Sequence, residues 1–237
     1  MKKVLITGST QGIGKALATA FVENGYEVIV HCSKDTNKAE SVRLEIGAHK
    51  AVVCDLSNME EVNGLYEKTG AVDCLIINAS VQYKEHWLDI TDNTFDKQFN
   101  INVKSTLKLM QAYYPAMKNN NWGRIVTIGS VNQYRQHLEL SIYSATKCAV
   151  KKLVEVIAKD VAPYGVTVNN VSPGAIITPR NEAVYIDKEK RSVVERQIPM
   201  GKFGTPNDCV GAVLMLCGEQ GSYITGADIS IDGGMRL

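Results

Sequence analysis

The chain has 237 residues, of which 45% are apolar and 22% are charged, and its formal net charge is +1. This length suits one large α/β domain, and the balanced charge argues against a nucleic-acid or anionic-membrane partner. The apolar run at residues 4–6 is too short for a secretory signal, and no run reaches the roughly 18–20 residues that span a bilayer. We therefore expect a cytoplasmic protein with no nucleic-acid and no membrane partner.

The six cysteines and four histidines form no CxxC pair and no metal-like cluster. Several cysteines fall within apolar stretches, as Cys74 does. This distribution predicts buried thiols in a reducing compartment and no metal site.

Short apolar, β-branched runs alternate with helical patterns almost from end to end. In chain order, strands are predicted at residues 3–6, 27–31, 51–54, 74–77, 124–128, 167–171 and 228–231. Helical patterns between them include residues 14–24, 59–68, 103–117 and 144–161. Apolar strands separated by helices indicate a parallel sheet covered on both faces, which is the doubly wound, dinucleotide-binding architecture. Without a repeat or a linker, the chain is predicted to form one domain over residues 1–237.

Residues 176–205 break this rhythm, because the stretch is polar, contains Pro179 and Pro199 and lies late in the chain. A long irregular insertion in a compact α/β domain is typical of a lid or a binding loop. We predict that this segment, called the substrate loop below, covers the substrate.

A glycine-rich turn follows the first predicted strand and precedes a helix. Gly8 would make the tight turn, Gly12 would let the backbone approach a pyrophosphate, and Gly14 would let the helix pack close to the sheet. The helix N-terminus would offer free N–H groups and a positive dipole end to the phosphates. The alternative is an ordinary strand–turn–helix with incidental glycines. The predicted cofactor contacts in this turn are Gly8, Ser9, Gln11, Gly12, Ile13 and Gly14.

Two later strand ends fit the same site. Asp55, followed by Leu56, ends the third strand at the carboxyl edge where such ligands bind. Asp55 could accept a hydrogen bond from an adenine amino group, or it could cap the next helix. The fourth strand ends in Asn78-Ala79-Ser80, where the strand order should reverse.

Tyr143 and Lys147 lie four residues apart at a helix start, and so on one face of that helix. Tyr143 could give a proton to a carbonyl oxygen or take one from an alcohol, and a cation one turn away favours the phenolate. Ser130, at the end of the fifth strand, could hydrogen-bond the same substrate oxygen. Taken alone, a Tyr-x3-Lys pair is common on amphipathic helices.

Together these residues resemble the short-chain dehydrogenase/reductase family over the whole chain. The resemblance implies a seven-stranded parallel sheet in the order 3-2-1-4-5-6-7 with helices on both faces. It also implies a nicotinamide-dependent oxidoreductase acting on a carbonyl or secondary alcohol. Its catalytic tetrad falls on Asn102, Ser130, Tyr143 and Lys147. Further cofactor contacts are implied for Tyr143, Lys147, Pro173, Gly174, Ile176 and Thr178.

The roles implied by the resemblance agree with the chemistry of the groups. Tyr143 is the acid/base, Lys147 assists it and holds the nicotinamide ribose, and Ser130 orients the substrate oxygen. Asn102 kinks a helix to hold a water in the proton relay, or serves only to bend that helix. One departure is Ser80, where the family usually has glycine, because a side chain there adds bulk beside the cofactor and serine tolerates positive φ poorly.

Three readings of function compete. A non-catalytic dinucleotide sensor would have lost part of the tetrad, and a methyltransferase would not need Ser130, Tyr143 and Lys147 together. The oxidoreductase reading is therefore preferred. For substrate, the region after residue 172 is similar to that of bacterial glucose dehydrogenases, while 3-oxoacyl-carrier-protein reductases and hydroxysteroid and gluconate dehydrogenases stay open. The polar stretch 132–137 suits a hydroxylated or charged small molecule, or merely solvates a loop.

The end of the second strand addresses cofactor choice. Cys32 stands where NAD users carry an aspartate that binds the ribose 2′-OH, and Asp35 is expected to cap the next helix instead. Ser33 could bind a 2′-phosphate and Lys34 could supply a charge. We predict NADP in preference to NAD, with NAD as an alternative cofactor.

Helices that carry apolar residues on more than one face predict self-association. The pattern lies around Leu153 and Ile157, and in the resembled family these helices pair with symmetry mates. We expect a homotetramer or a dimer.

Overall fold

The computed structural model describes residues 1–237, and its seven strands form one sheet in the order β3-β2-β1-β4-β5-β6-β7. Every neighbouring pair is parallel. The predicted sheet and its order are therefore confirmed, and the strand boundaries differ from the predicted ones by no more than two residues. The strands are β1 (Lys3–Ile6), β2 (Glu27–Cys32), β3 (Lys50–Val53), β4 (Cys74–Ile77), β5 (Gly123–Ile128), β6 (Val166–Pro173) and β7 (Asp228–Ile231).

Helices connect the strands on both faces of the sheet. The single helix predicted over residues 59–68 is instead two short ones, because Gly64, a poor helix former, ends the first and begins the second. The α-helices are α1 (Gly12–Glu23), α2 (Thr36–Ile46), α3 (Met59–Asn63), α4 (Leu65–Thr69), α5 (Asp92–Phe99), α6 (Ser105–Asn119), α7 (Ser141–Val161), α8 (Glu182–Tyr185), α9 (Lys188–Glu195) and α10 (Val210–Cys217).

Two apolar clusters form the core, one on each face of the sheet. Alternate residues of a strand point to opposite faces, so Leu5 of β1 joins one cluster while Val4 and Ile6 join the other. The first cluster packs against α6 and α7, and the second packs against α1 and α10. Burial on both faces explains why the strands are continuous apolar runs rather than alternating ones.

The strand order reverses beside β1, since β2 lies on one side of it and β4 on the other. In an open parallel sheet, the crevice outside the carboxyl ends of the strands at such a reversal is where ligands bind. The loops after β1, β4, β5 and β6 therefore meet at one edge of the sheet.

The substrate loop is more ordered than its composition suggested. It contains a 3₁₀ turn (Pro179–Asn181) followed by α8 and α9. Asp187 caps α9, since its Oδ1 accepts from the N–H groups of Glu189 and Lys190 at 3.0 and 3.1 Å. The base of the loop is closed by the N–H of residue 177, which donates to the Gly204 carbonyl at 2.9 Å. The segment is thus a compact excursion with joined ends.

All six cysteines are free thiols, and five of them are buried. Cys148 is the exposed one, contrary to the expectation that the cysteines lie buried, because it faces outward from α7. No helix combines the length and the apolar character needed to cross a membrane.

Candidate active site

A cavity of about 1110 Å³ opens at the carboxyl ends of β1, β4, β5 and β6, with the substrate loop as one wall. Most of the residues predicted from the sequence to form a site line this cavity. They are Gly8, Gln11, Gly12, Ile13, Gly14, Cys32, Ser33, Asn78, Ala79, Ser80, Ser130, Tyr143, Lys147, Pro173, Gly174, Ile176 and Thr178. Five others lie outside its lining, namely Ser9, Lys34, Asp55, Leu56 and Asn102.

The glycine turn has the geometry that its sequence predicts. Gly8 and Gly12 have φ values of +65° and +54°, in the left-handed region that favours glycine. A Cβ on Gly14 would lie 2.2 Å from the Gly8 carbonyl oxygen, so α1 can approach the turn this closely only without a side chain. Asn78 fixes the other side, donating from Nδ2 to the carbonyls of Thr7 and Gly8 at 2.9 and 3.0 Å.

His31 holds the same turn from β2, a contact that the sequence analysis missed. Its Nδ1 accepts from the Gly8 N–H at 3.0 Å, so the ring proton is on Nε2, which lies 3.1 Å from the Cys54 carbonyl oxygen. Burial lowers the pKa of His31 to about 4, so the ring is neutral at ordinary pH. A polar residue in a buried apolar strand was the available signal.

Lys34, the lysine after β2 that is predicted to supply a charge to a 2′-phosphate, has a partner within the protein. Lys34 pairs with Asp55, with 3.0 Å between Nζ and Oδ2. Lys38, which the sequence analysis did not single out, lines the cavity and donates from Nζ to Gln11 Oε1 at 2.7 Å. Asp35 caps α2 as predicted, accepting from the Lys38 N–H at 2.9 Å.

Asp55 does not cap the next helix, which was one of its two predicted roles. That helix is capped by Asn58, whose Oδ1 accepts from the Glu60 N–H at 3.0 Å. Asp55 Oδ1 instead accepts from the N–H and hydroxyl of Ser57 at 2.9 and 2.7 Å. Burial alone would raise the pKa of Asp55, but the Ser57 hydrogen bonds and the Lys34 ammonium lower it below its usual value.

Ser130, Tyr143 and Lys147 line the cavity and are all buried, with exposures of 8%, 4% and 5%. Lys147 Nζ lies 5.5 Å from the centre of the Tyr143 ring and donates to the Ile128 carbonyl at 2.7 Å. Burial and, secondarily, the positive charge of Arg180 lower the pKa of Lys147 to about 7. At neutral pH this amine therefore gains or loses a proton readily when charge enters the site.

Asn102 lies in a π-helical turn (Asn100–Lys104) between α5 and α6, which interrupts the regular helix at the residue where a kink is predicted. Its Oδ1 accepts from the Val81 N–H at 2.9 Å, and its Nδ2 donates to the Val81 carbonyl at 2.9 Å and to Thr146 Oγ1 at 3.1 Å. Asn102 thereby ties the loop after β4 to α7, the helix that carries Tyr143.

Known proteins resemble this chain along nearly its whole length. Dehydrogenase/reductase SDR family member 4 of Sus scrofa is 32% identical over 241 residues, covering 98% of this chain and 86% of that protein. A 3-oxoacyl-[acyl-carrier-protein] reductase of Rickettsia felis is 31% identical over 236 residues, covering 100% of this chain and 97% of that protein. The crystal structure of a 3-oxoacyl (acyl-carrier-protein) reductase from Agrobacterium tumefaciens C58 with NADP bound has a TM-score of 0.94 at 34% identity, covering 98% and 93% of the two chains.

A family model described as enoyl-(acyl carrier protein) reductase matches residues 8–236. The chain belongs to the short-chain dehydrogenase/reductase family. It is an oxidoreductase of that family.

The departure from the family pattern at Ser80 is accommodated without backbone strain. Asn121 is the only non-glycine residue with positive φ, so Ser80 does not adopt the conformation that serine tolerates poorly. Arg180 of the substrate loop donates to the Ser80 carbonyl at 2.6 Å and to its Oγ at 3.2 Å. The extra side chain thus takes part in a contact between the substrate loop and the end of β4.

A polar cluster around Asp228, next to the segment that follows Ser130, is not predicted from the sequence. One carboxylate oxygen of Asp228 in β7 accepts hydrogen bonds from Gln133 Nε2 at 2.5 Å and from the Tyr134 hydroxyl. Both of these residues closely follow Ser130 in the chain. The other oxygen of Asp228 accepts from Ser172 Oγ at 2.6 Å. The segment after β5 is therefore tied to β6 and β7, which fixes the wall next to Ser130.

Proposed function

We propose that the chain is an NADP-dependent oxidoreductase that moves a hydride between a nicotinamide and the carbon of a small carbonyl compound or secondary alcohol. One observation carries this proposal: Ser130, Tyr143 and Lys147 line the same cavity as the glycine turn. A proton carrier and a phosphate cradle in one cavity are what such a reaction needs.

The residues of this chain supply the proton chemistry. During reduction, the Tyr143 hydroxyl gives its proton to the substrate oxygen, and during oxidation it takes that proton back. Ser130 donates a hydrogen bond to the same oxygen, and the Lys147 ammonium stabilises the phenolate left on Tyr143. A bound nicotinamide dinucleotide supplies or accepts the hydride.

The cavity fits such a cofactor. No side chain caps the N-terminus of α1, and the positive-φ glycines leave the backbone open to a diphosphate. We assign the diphosphate to Gly8, Gly12 and Gly14. The nicotinamide end is assigned to Asn78, Ala79, Ser80, Lys147, Pro173, Gly174, Ile176 and Thr178.

Replacing Tyr143 with phenylalanine tests the proton carrier. We expect Tyr143→Phe to lower turnover by at least about 10²-fold while dinucleotide affinity stays nearly unchanged, because only the proton donor is lost. Turnover is measured on the best substrate and affinity by fluorescence titration of NADPH. A wild-type turnover in the variant would contradict the role of Tyr143. A wild-type protein that binds NADPH but turns over no substrate would favour the sensor reading.

NADP is favoured over NAD by the charges around the end of β2. No carboxylate lines the cavity there, and Cys32, Ser33 and Lys38 do. With Lys34 engaged by Asp55, Lys38 is the cation we assign to the 2′-phosphate. The Agrobacterium tumefaciens relative carries NADP, which supports the same choice.

Two lysine variants separate these assignments. Lys38→Gln should lower kcat/KM for NADPH by about 10-fold or more and change that for NADH little, since a cation contacts only the phosphate-bearing cofactor. Lys34→Gln is the matched control, because Lys34 pairs with Asp55. Cys32→Asp should shift preference toward NADH. A wild type that prefers NADH tenfold, or a Cys32→Asp variant whose preference does not move, would defeat the assignment.

The polar wall formed by Asn132, Gln136 and Gln197 suits a hydroxylated small molecule such as a sugar. The 3-oxoacyl-carrier-protein reductase reaction is the alternative, since two of the relatives carry that name. A cofactor-oxidation screen against sugars, acyl thioesters, steroids and small diketones distinguishes them.

Free thiols without a disulfide support a cytoplasmic location.

A further inference from the structure

The cavity concentrates positive charge. The chain has 26 lysines and arginines against 25 aspartates and glutamates, so it is nearly neutral as a whole. The residues that line the cavity include five lysines and arginines but only one carboxylate, that of Glu139. The five cations are Lys38, Lys84, Arg135, Lys147 and Arg180. An imbalance of this size in one concave site attracts anions.

Two of these cations are accounted for by the proposed reaction, Lys38 by the cofactor phosphate and Lys147 by Tyr143. The remaining three belong to segments around the opening, namely the loops after β4 and β5 and the substrate loop. None of the three forms an ion pair with a carboxylate in the structure. Their charge is therefore not needed to neutralise the protein's own acids.

The two arginines are held in place by neutral acceptors. Arg180 donates to the carbonyl and hydroxyl of Ser80, and Arg135 donates from Nη2 to Gln197 Oε1 at 3.0 Å. Each of these contacts joins the substrate loop to a loop at the sheet edge. The guanidinium groups are thus partly ordered without losing their charge, an arrangement that suits bidentate recognition of a carboxylate or phosphate.

Arg180 lines the same cavity as Lys147 and acts on it electrostatically. Its positive charge acts on Lys147, whose pKa is lowered to about 7 chiefly by burial and further by Arg180. Arg180 is an exposed residue of the same cavity lining, and its charge and that of Lys147 repel each other. A negatively charged ligand would relieve that repulsion and would favour the charged form of Lys147.

We propose that the substrate carries a carboxylate or phosphate group, held by Arg135 and Arg180 while its carbonyl or hydroxyl carbon faces Tyr143. This inference rests on the proposed oxidoreductase function and narrows its substrate to anionic oxo or hydroxy compounds. The carboxylate and the phosphate share the chemistry that the guanidinium groups recognise, so both are tested.

The test uses pairs of oxo compounds that differ in charge. The carboxylate pairs are acetoacetate with methyl acetoacetate and levulinate with methyl levulinate, and the phosphate pair is dihydroxyacetone phosphate with dihydroxyacetone. NADPH oxidation gives kcat and KM for each compound. Calorimetry on the complex with NADP⁺ gives its affinity without turnover. We expect the charged member of at least one pair to be preferred by about 10- to 100-fold, as charge-assisted hydrogen bonds provide.

The variants Arg135→Gln and Arg180→Gln should remove most of this preference by raising KM for the anion, with the neutral member affected little. Arg135→Lys should restore part of it, because the charge returns without the planar fork. Lys188→Gln is the matched control, since this exposed cation lies in the substrate loop outside the cavity lining. Added salt should weaken anion binding in the wild type and have little effect in the variants.

The outcomes separate this inference from the function on which it rests. If neutral members or neutral acyl thioesters are turned over as well as the anions, or if both Gln variants keep the wild-type preference, the anion site is refuted while the oxidoreductase function stands. If Arg180→Gln weakens NADPH binding and leaves anion affinity unchanged, Arg180 belongs to the cofactor site. If no carbonyl compound is reduced although NADPH binds, the proposed function itself fails.

Discussion

His31 couples the glycine turn to two strands through one neutral ring. Its Nδ1 can accept from the Gly8 N–H only while it carries no proton. The pKa of His31 is lowered by burial from 6.5 to about 4 in the folded chain. Between pH 6.5 and about pH 4, His31 binds a proton in the unfolded chain but stays neutral in the folded chain. Stability is therefore full above pH 6.5 and falls as the pH drops toward 4.

A variant that cannot titrate measures this contribution. We expect His31→Asn to lose less unfolding free energy than the wild type between about pH 7 and about pH 4.5, by up to about 3 kcal/mol, since each pKa unit is worth about 1.4 kcal/mol. Urea unfolding at the two pH values gives the comparison. His49→Asn, at an exposed histidine, is the control and should keep the wild-type pH dependence. If the unfolding free energy of His31→Asn changes with pH as much as that of the wild type, folding does not lower the pKa of His31.

At the scale of elements, the close approach of α1 to the end of β1 shapes the phosphate site. A Cβ at position 14 would lie 2.2 Å from the Gly8 carbonyl oxygen and 2.6 Å from Asn78 Nδ2. Neither neighbour can move easily, because one is backbone and the other donates hydrogen bonds to the turn. The position of the helix and the conformation of the turn are therefore set together.

Gly14→Ala should push α1 away from the turn. We expect dinucleotide affinity to fall by about 10-fold or more and stability to fall by about 1–3 kcal/mol, the usual range for overpacking. Gly211→Ala in α10 is the matched control, since a Cβ there meets nothing within 4 Å. That control should be neutral or stabilising by up to about 1 kcal/mol, because alanine is the better helix former. Fluorescence titration and thermal unfolding give both values, and a Gly14→Ala protein with wild-type affinity would show that the turn adapts.

At the scale of the whole molecule, α7 leaves apolar surface uncovered. Val150, Val154 and Val161 are buried within the chain, but Val156 is 62% exposed and Leu153 and Ile157 are only half-buried. On α5, Phe95 is 40% exposed and stacks on Phe99 with ring centres 4.6 Å apart. Exposed apolar faces on two helices favour self-association.

We infer a homotetramer, with a dimer as the smaller alternative. Four chains of 26.0 kDa should give a mass of about 104 kDa in light scattering at micromolar concentration. Val156→Glu should lower the mass, since it places a charge on the exposed face of α7. Leu44→Glu, the same kind of change at a residue of α2 that is 65% exposed, should not. A wild-type monomer would rule out this assembly.

The sequence by itself determined the strands of the parallel sheet, the glycine turn and the spacing of Tyr143 and Lys147, while the order of the strands followed from the resemblance to a known family. Each depends on a pattern within one element or its adjoining turn: an apolar run, glycines in an unusual backbone conformation, or two side chains one helical turn apart. The prediction of one helix over residues 59–68 was wrong for an equally local reason, because it allowed Gly64 inside that helix.

Only the tertiary structure decided which charged and polar groups meet. Lys34 and Asp55 come together at 3.0 Å from the ends of two neighbouring strands, which leaves Lys38 to line the cavity. Arg180 reaches Ser80 across 100 residues of chain. A sequence pattern describes the face of the element on which a residue lies. The partner of a long flexible side chain depends instead on which strand ends the sheet brings together, and that is fixed only once the whole sheet has formed.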